Sequence, residues 1–272
     1  MVLLLLFALA ASATSYPSFL DDRPWKIIRG SAASAGQFPY MVFLNMQRSR
    51  GTMRCGGSLL SKRFVLTAAH CVLDVKGGQV MVGSVTLGQS RTAQWSPIRR
   101  IFKHSGYTGE AHTGGYHDIA ILEIEPVQLN QYVQPVRIVK DDSALLRSGK
   151  GTSIGFGTYN VVNGEGMFSS YLRVINIPLI PAGECRWKNG AYLRDFQICA
   201  GERGVAPGAG DSGGPLLVKT SNGMVQVGIT SHGVPDEKIV QEGIRASRKS
   251  VTYDCEAVIG KITQGCSHVN YV

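Results

Sequence analysis

Residues 57–71 read GSLLSKRFVLTAAHC. The stretch is short, rich in Leu, Val and Phe, and ends in two alanines before a histidine and a cysteine. Runs of the same kind recur as PYMVFLNM at 39–46, IAILEIE at 119–125 and PLLVKT at 215–220. Gly, Pro, Asn and Ser clusters separate them, which is strand and turn punctuation. No long amphipathic helical period occurs before residues 253–263. The spacing therefore predicts an all-β chain, a barrel or a sandwich. A polar stretch at 140–151, KDDSALLRSGKG, divides two halves of similar strand density and marks a domain boundary. There is no internal repeat and no low-complexity segment.

The chain has 272 residues and a net charge of +9, long enough for one large or two modest domains with ample core. Residues 2–11 are uninterruptedly apolar, too short a run to span a bilayer, and Ala11-Ser12-Ala13 follows as an A-x-A cleavage pattern. The expectation is a signal peptide over 1–13 and a secreted, extracellular protein, with no later membrane span. Export makes the six cysteines disulfide candidates. No Cys-x-x-Cys pair and no histidine pair at ligand spacing occurs, so no metal site and no cofactor are expected. Basic residues cluster at Arg48, Arg50 and Arg54, at Arg99, Arg100 and Lys103, and at Arg245, Arg248 and Lys249. A solvated surface is the favoured reading, with weak binding to acidic glycans as the lesser one. A nucleic-acid partner is disfavoured, and no Asn-x-Ser/Thr sequon is present.

Three residues stand out chemically. Ser212 sits in GAGDSGGPLL at 208–217, ordinary turn chemistry unless a base and an orienting carboxylate accompany it. His70 follows a β-branched strand and two alanines small enough for close packing. Cys71 beside it offers a covalent anchor. Cys55, 16 residues earlier, lies on a strand that can run against Val65–Thr67, and a bridge there would contribute about 3 kcal/mol by loop entropy. Asp118 heads the apolar strand of YHDIAILEI, where burial demands a partner and an imidazole N–H is a natural one. Alone, each has a structural explanation: a turn serine, a core histidine, an edge-strand aspartate. Together they point to one nucleophilic constellation.

LTAAHC, DIAIL and GDSGGP, in the order His, Asp, Ser, resemble the chymotrypsin/trypsin family of serine proteases. The resemblance runs from about 27 to 243 and includes GQFPYMVFL, CGGSLLS, GFGT and ICAG. It implies two antiparallel six-stranded β-barrels, over 27–140 and 151–272, with a catalytic cleft between them and a short C-terminal helix. Ser212 would be the nucleophile, His70 the general base and then acid, and Asp118 the carboxylate that fixes the imidazole tautomer. The N–H groups of Gly210 and Ser212 would form the oxyanion hole. Ser231 matches the serine that hydrogen-bonds the buried aspartate.

The resemblance further implies an activation propeptide over 14–26, cut after Lys26, whose product ammonium on Ile27 pairs with Asp211. Arg29 stands where the family usually has glycine. Cys185 and Cys199 match a family disulfide. The cysteine usual four residues before the nucleophile is Gly208 here, and its usual partner is missing as well. Cys255 and Cys266 have no family counterpart; a local bridge in the tail is one reading and two free thiols the other. Ala206 falls at the base of the primary pocket, where trypsin-type enzymes carry an aspartate. Gly233 and Gly243 fall where the pocket width is set. A slot for Phe, Tyr, Leu or Met is the implied preference. His232 replaces a cleft tryptophan, and the segment after Gly243 is unusually polar for the family. An active secreted endopeptidase, acting on protein or peptide substrates and meeting an activating protease and protein inhibitors, is weighed against a catalytically silent homologue that binds partners.

Overall fold

The computed structural model describes residues 30–107, 109, 117–139, 141–162, 165–181, 197–201, 205–232 and 244–247. The first half contributes β1 (Ser31–Ala32), β2 (Met41–Arg48), β3 (Thr52–Ser61), β4 (Phe64–Thr67), β5 (Val75–Val82), β6 (Gln94–Lys103) and β7 (Ala120–Ile124). A 3-10 turn, Ala69–Val72, interrupts them. The second half holds a single helical turn, α1 (Ser143–Leu146), then β8 (Lys150–Gly155), β9 (Thr158–Val162), β10 (Glu165–Phe168) and β11 (Arg173–Ile180). β12 (Gln197–Ala200), β13 (Pro215–Thr220), β14 (Gly223–His232) and β15 (Ile244–Ser247) complete it.

Strands β2-β3-β4-β7-β6-β5 close into a barrel, all paired antiparallel. The second sheet runs β1-β11-β12-β15-β14-β13-β8, and β8 also pairs with β11. Its six strands other than β1 therefore form a second closed cycle, with β1 added at the rim. The all-β chain expected from the spacing and the two barrels implied by the resemblance are what is observed. Closure removes sheet edges, which otherwise invite pairing with another chain. The expected C-terminal helix lies outside the described residues.

β2 is buried along almost its whole length, with no clean alternation. One face fills the barrel and the other meets the second half of the chain. The larger core accordingly joins Val42, Leu44 and Leu66 of the first barrel to Ile154, Phe156, Leu217 and Ile229 of the second. Phe43 meets Phe156 edge to face at 5.7 Å, a geometry worth about 0.5–1.5 kcal/mol beyond burial. A smaller cluster of Ile175, Ile177, Leu179, Ile198 and Val218 fills the second barrel. The loops at the seam between the barrels are thus carried on rigid strands.

Candidate active site

His70 rides on the 3-10 turn that follows β4. Ala68 and Ala69 are fully buried, so the turn presses against the core where larger side chains would not fit. Cys71 is joined to Cys55 of β3 by a disulfide with a Cα–Cα distance of 6.3 Å. On the other side, Ile119 N–H donates to the His117 carbonyl at 2.8 Å, bending the chain sharply at Asp118 just before β7. His117 takes a left-handed φ of 56° to make that bend.

Asp118 is 2% exposed and meets His70 twice. Its Oδ1 accepts the His70 backbone N–H at 2.8 Å, and its Oδ2 pairs with the ring Nδ1 at 2.8 Å. Ser231 of β14 donates its hydroxyl to the same Oδ2. Burial alone would push this carboxyl up. The bond and charge of His70 and the Ser231 hydroxyl outweigh it and hold the group below the usual carboxylate value. An ionised carboxylate accepts only, so the ring proton sits on Nδ1 and leaves Nε2 as an acceptor.

The Ser212 loop is threaded into the His70 hairpin. Gly56 of β3 donates its N–H to the Ser212 carbonyl at 2.7 Å. Gly213 N–H donates to Thr230 O at 2.7 Å, and Gly214 N–H to Asp211 O at 2.9 Å. Gly213 has φ +81°, and a Cβ there would overlap Thr67 Oγ1 and the Gly56 carbonyl. Only glycine lets the loop approach this closely. Cys71 Sγ lies 3.5 Å from the Ser212 carbonyl oxygen and 3.8 Å from His70 Nε2. A disulfide sulfur carries no hydrogen, so both are packing contacts, and they seat the half-buried Ser212 beside the imidazole face of the turn. The same fact disposes of Cys55, His70 and Cys71 as a metal cluster: their ligand atoms lie within 4.8 Å of one another, but the sulfurs are already bonded.

Asp211 points the other way, into the second barrel, and is 1% exposed. Its carboxylate accepts from Gly157 N–H at 2.7 Å and Gly208 N–H at 2.8 Å. Burial pushes its pKa up to about 6, against the pull of those two bonds. Gly157 leaves the space: a Cβ there would lie 2.5 Å from the carboxyl carbon. Among the described residues no cation pairs with it. The loop from 208 to 210 is further held by Thr158, whose N–H donates to Ala209 O at 2.8 Å. Gly210 has φ +90° and lies against the Phe168 ring, over which the Arg54 guanidinium sits at 5.2 Å. Phe168 and Thr158 carried no sequence signal for this placement.

The family model described as Trypsin matches residues 27–247. The chain belongs to the trypsin family of serine proteases. It is 30% identical over 219 residues to coagulation factor IX of Cavia porcellus, covering 78% of this chain and 74% of that protein. It is 33% identical over 242 residues to CLIP domain-containing serine protease B10 of Anopheles gambiae, covering 79% of this chain but only 64% of that protein. Among solved structures, HL collagenase superposes with a TM-score of 0.72 at 25% identity, covering 86% of this chain and 98% of that one.

Of the trypsin-family positions, His70, Asp118, Ser231, Ser212, Gly210 and Asp211 gather at the barrel seam. Ala206 is half-buried and packs with Val205 against the core of the second barrel. Cys199 is disulfide-bonded, buried in β12. Lys26, Ile27, Cys185, Gly233, Gly243, Cys255 and Cys266 lie outside the described residues. A cysteine at Gly208 would be crowded here, since its Cβ would come within 2.5 Å of the Thr158 carbonyl oxygen. In the second basic cluster, Arg99 is matched by Glu125 and Arg100 by Glu123, leaving less free charge than the sequence implied. No helix among the described residues is long and apolar enough to cross a membrane.

Proposed function

We propose that the chain is a secreted serine endopeptidase, made as an inactive precursor and working through Ser212, His70 and Asp118. The observation that carries this reading is the relay Ser231–Asp118–His70, with the Ser212 backbone packed against the disulfide of the same turn. Ser212 Oγ attacks the scissile carbonyl carbon while His70 Nε2 takes its proton. The resulting imidazolium is stabilised by Asp118, which stays ionised. The carbonyl electron pair moves onto oxygen, where the N–H groups of Gly210 and Ser212 receive the oxyanion. Collapse breaks the C–N bond, and His70 returns the proton to the leaving amine. Water then repeats the sequence on the acyl-enzyme, restoring Ser212.

In the same reading residues 1–13 are a signal peptide, 14–26 a propeptide, 27–140 the first barrel and 151–272 the second with its atypical tail. Cleavage after Lys26 frees the Ile27 ammonium to pair with Asp211. The buried, glycine-walled carboxylate is a receptor suited to it, because a buried charge without a partner is strongly unfavourable. Substrates are proteins or peptides cut after large apolar residues, with protein inhibitors as further partners. Ala206 supplies no counter-charge for Lys or Arg, and glycines stand at 233 and 243, the positions that by resemblance to the family set the pocket width, so no side chain there would narrow it. Ser212→Ala and His70→Ala, made in protein cut after Lys26, should each abolish peptide turnover by a similar factor. Retention of most of the wild-type turnover in either variant would refute the assignment.

A further inference from the structure

The turn that carries His70 is fixed at three kinds of atom. Asp118 takes its N–H, and Cys55 takes the sulfur of Cys71. The carbonyls are taken by Arg48, a residue the sequence places in a basic surface cluster. Its Nη2 donates to the His70 carbonyl at 2.9 Å and to the Cys71 carbonyl at 3.3 Å. Carbonyls near the end of a short helical turn lack partners within it, and a cation there complements them. The Arg48 Nε is buried with no hydrogen-bond partner in the structure. A buried donor left unmatched is unfavourable, so satisfying Arg48 itself does not explain its inward position. The carbonyls it serves do.

The backbone is built to deliver this side chain. Arg48 is the last residue of β2, and the β2–β5 ladder pairs Gln47 with Gly77 but Arg48 with Val75, skipping Lys76. Such a bulge raises local twist and re-aims the side chain beside it. The hairpin tip is closed by Arg48 N–H donating to Gly51 O at 3.0 Å, with Gly51 at φ +77°. Next to it Ser49 Oγ donates to Asp74 Oδ1 at 3.0 Å, just beyond the 3-10 turn. The tip of the β2–β3 hairpin therefore straps residues 70–74 from outside.

We infer that Arg48 is a positioning residue for the His70 imidazole: it fixes the backbone from which the ring reaches Asp118. The inference rests on the reading of His70 as the general base. It is tested with Arg48→Met and Arg48→Lys in the full chain, by steady-state kinetics after cleavage at Lys26. The low-field proton NMR signal of the Nδ1–H shared with Asp118 is recorded in the uncut chain as well.

Arg48→Met should lower kcat about 10- to 100-fold, the scale of a small misplacement of a reacting group, with KM changed by less than about twofold. The Nδ1–H signal should broaden or vanish through exchange with water, at a temperature well below the melting point of the variant. Arg48→Lys, which retains a donor and a charge, should recover part of both. An unchanged kcat, or a lowered kcat with the Nδ1–H signal intact, overturns the inference. If the wild-type protein, once cut, shows no turnover, the reading of His70 as a base fails. The NMR comparison then still decides whether Arg48 positions the ring.

Discussion

One carboxylate, that of Asp118, holds His70 by both its backbone N–H and its ring Nδ1, each at 2.8 Å. The first bond places the turn and the second selects the tautomer. A substitution at Asp118 therefore separates structure from chemistry.

Asp118→Asn keeps the shape and can still accept the backbone N–H. With its oxygen on that N–H, its NH2 faces His70 Nδ1 and the Ser231 hydroxyl, and as a donor it can accept from neither. The expected result is a kcat lower by roughly 10³–10⁴-fold with a circular dichroism spectrum unchanged. A variant retaining more than a tenth of wild-type kcat would show that the tautomer argument is wrong.

Asp211 gives a pH prediction for the uncut chain. Its folded value is raised from 3.8 to about 6 by burial, so the native state binds this proton more tightly than the unfolded state. The stability it contributes is fully present below about pH 4 and is lost as pH rises through about 6. Relative to Asp211→Asn, the uncut wild type should lose stability steadily across that window. After cleavage at Lys26 the Ile27 ammonium should lower the carboxyl and remove or reverse the trend. Denaturant titrations at pH 4, 5, 6 and 7 measure it, and parallel curves for variant and wild type would contradict it.

Much of the fold was legible because each strand is short, apolar and bounded by Gly, Pro or polar turns, as at 39–46 and 215–220. The site was legible because its three chemical residues sit in short, dense motifs. What was not legible depends on contacts between distant segments. Arg48 reads as a solvated charge until the bulge at Lys76 and the hairpin tip bring it to a turn 22 residues away. The β9–β10 hairpin carries a Phe168 that lies on Gly210, a contact that no motif in its sequence announces. α1 is one turn long, too short for a helical period to register. Gly157 belongs to the GFGT motif in sequence, but only the structure shows its N–H donating to Asp211.

The Cys55–Cys71 disulfide closes a loop of 16 residues. Replacing both cysteines with alanine should reduce the unfolding free energy by about 3 kcal/mol and slow turnover, because Cys71 Sγ also packs on the Ser212 carbonyl. Urea denaturation with the enzymatic assay tests both arms. An undiminished kcat would mean that the bridge stabilises the barrel without ordering the site.

Ala206, packed with Val205 against the core of the second barrel, makes the specificity testable. Profiling the Lys26-cleaved protein on a peptide library should show cleavage after Phe, Tyr, Leu or Met, favoured by about 25 cal/mol for each Å² of apolar surface buried. Dominant cleavage after Arg or Lys would require an acid that reaches the pocket from elsewhere, with Asp236 and Glu237 the first to substitute.

In the proposed function Ser212 becomes a nucleophile once the chain is cut at Lys26. Treating cut and uncut protein with an organophosphate and locating the adduct by peptide mass spectrometry tests it most directly. One adduct per cut chain is expected, on Ser212, with little on the uncut chain and none on Ser212→Ala or His70→Ala. A correctly cut chain that takes up no label, or a label that persists in Ser212→Ala, would contradict it.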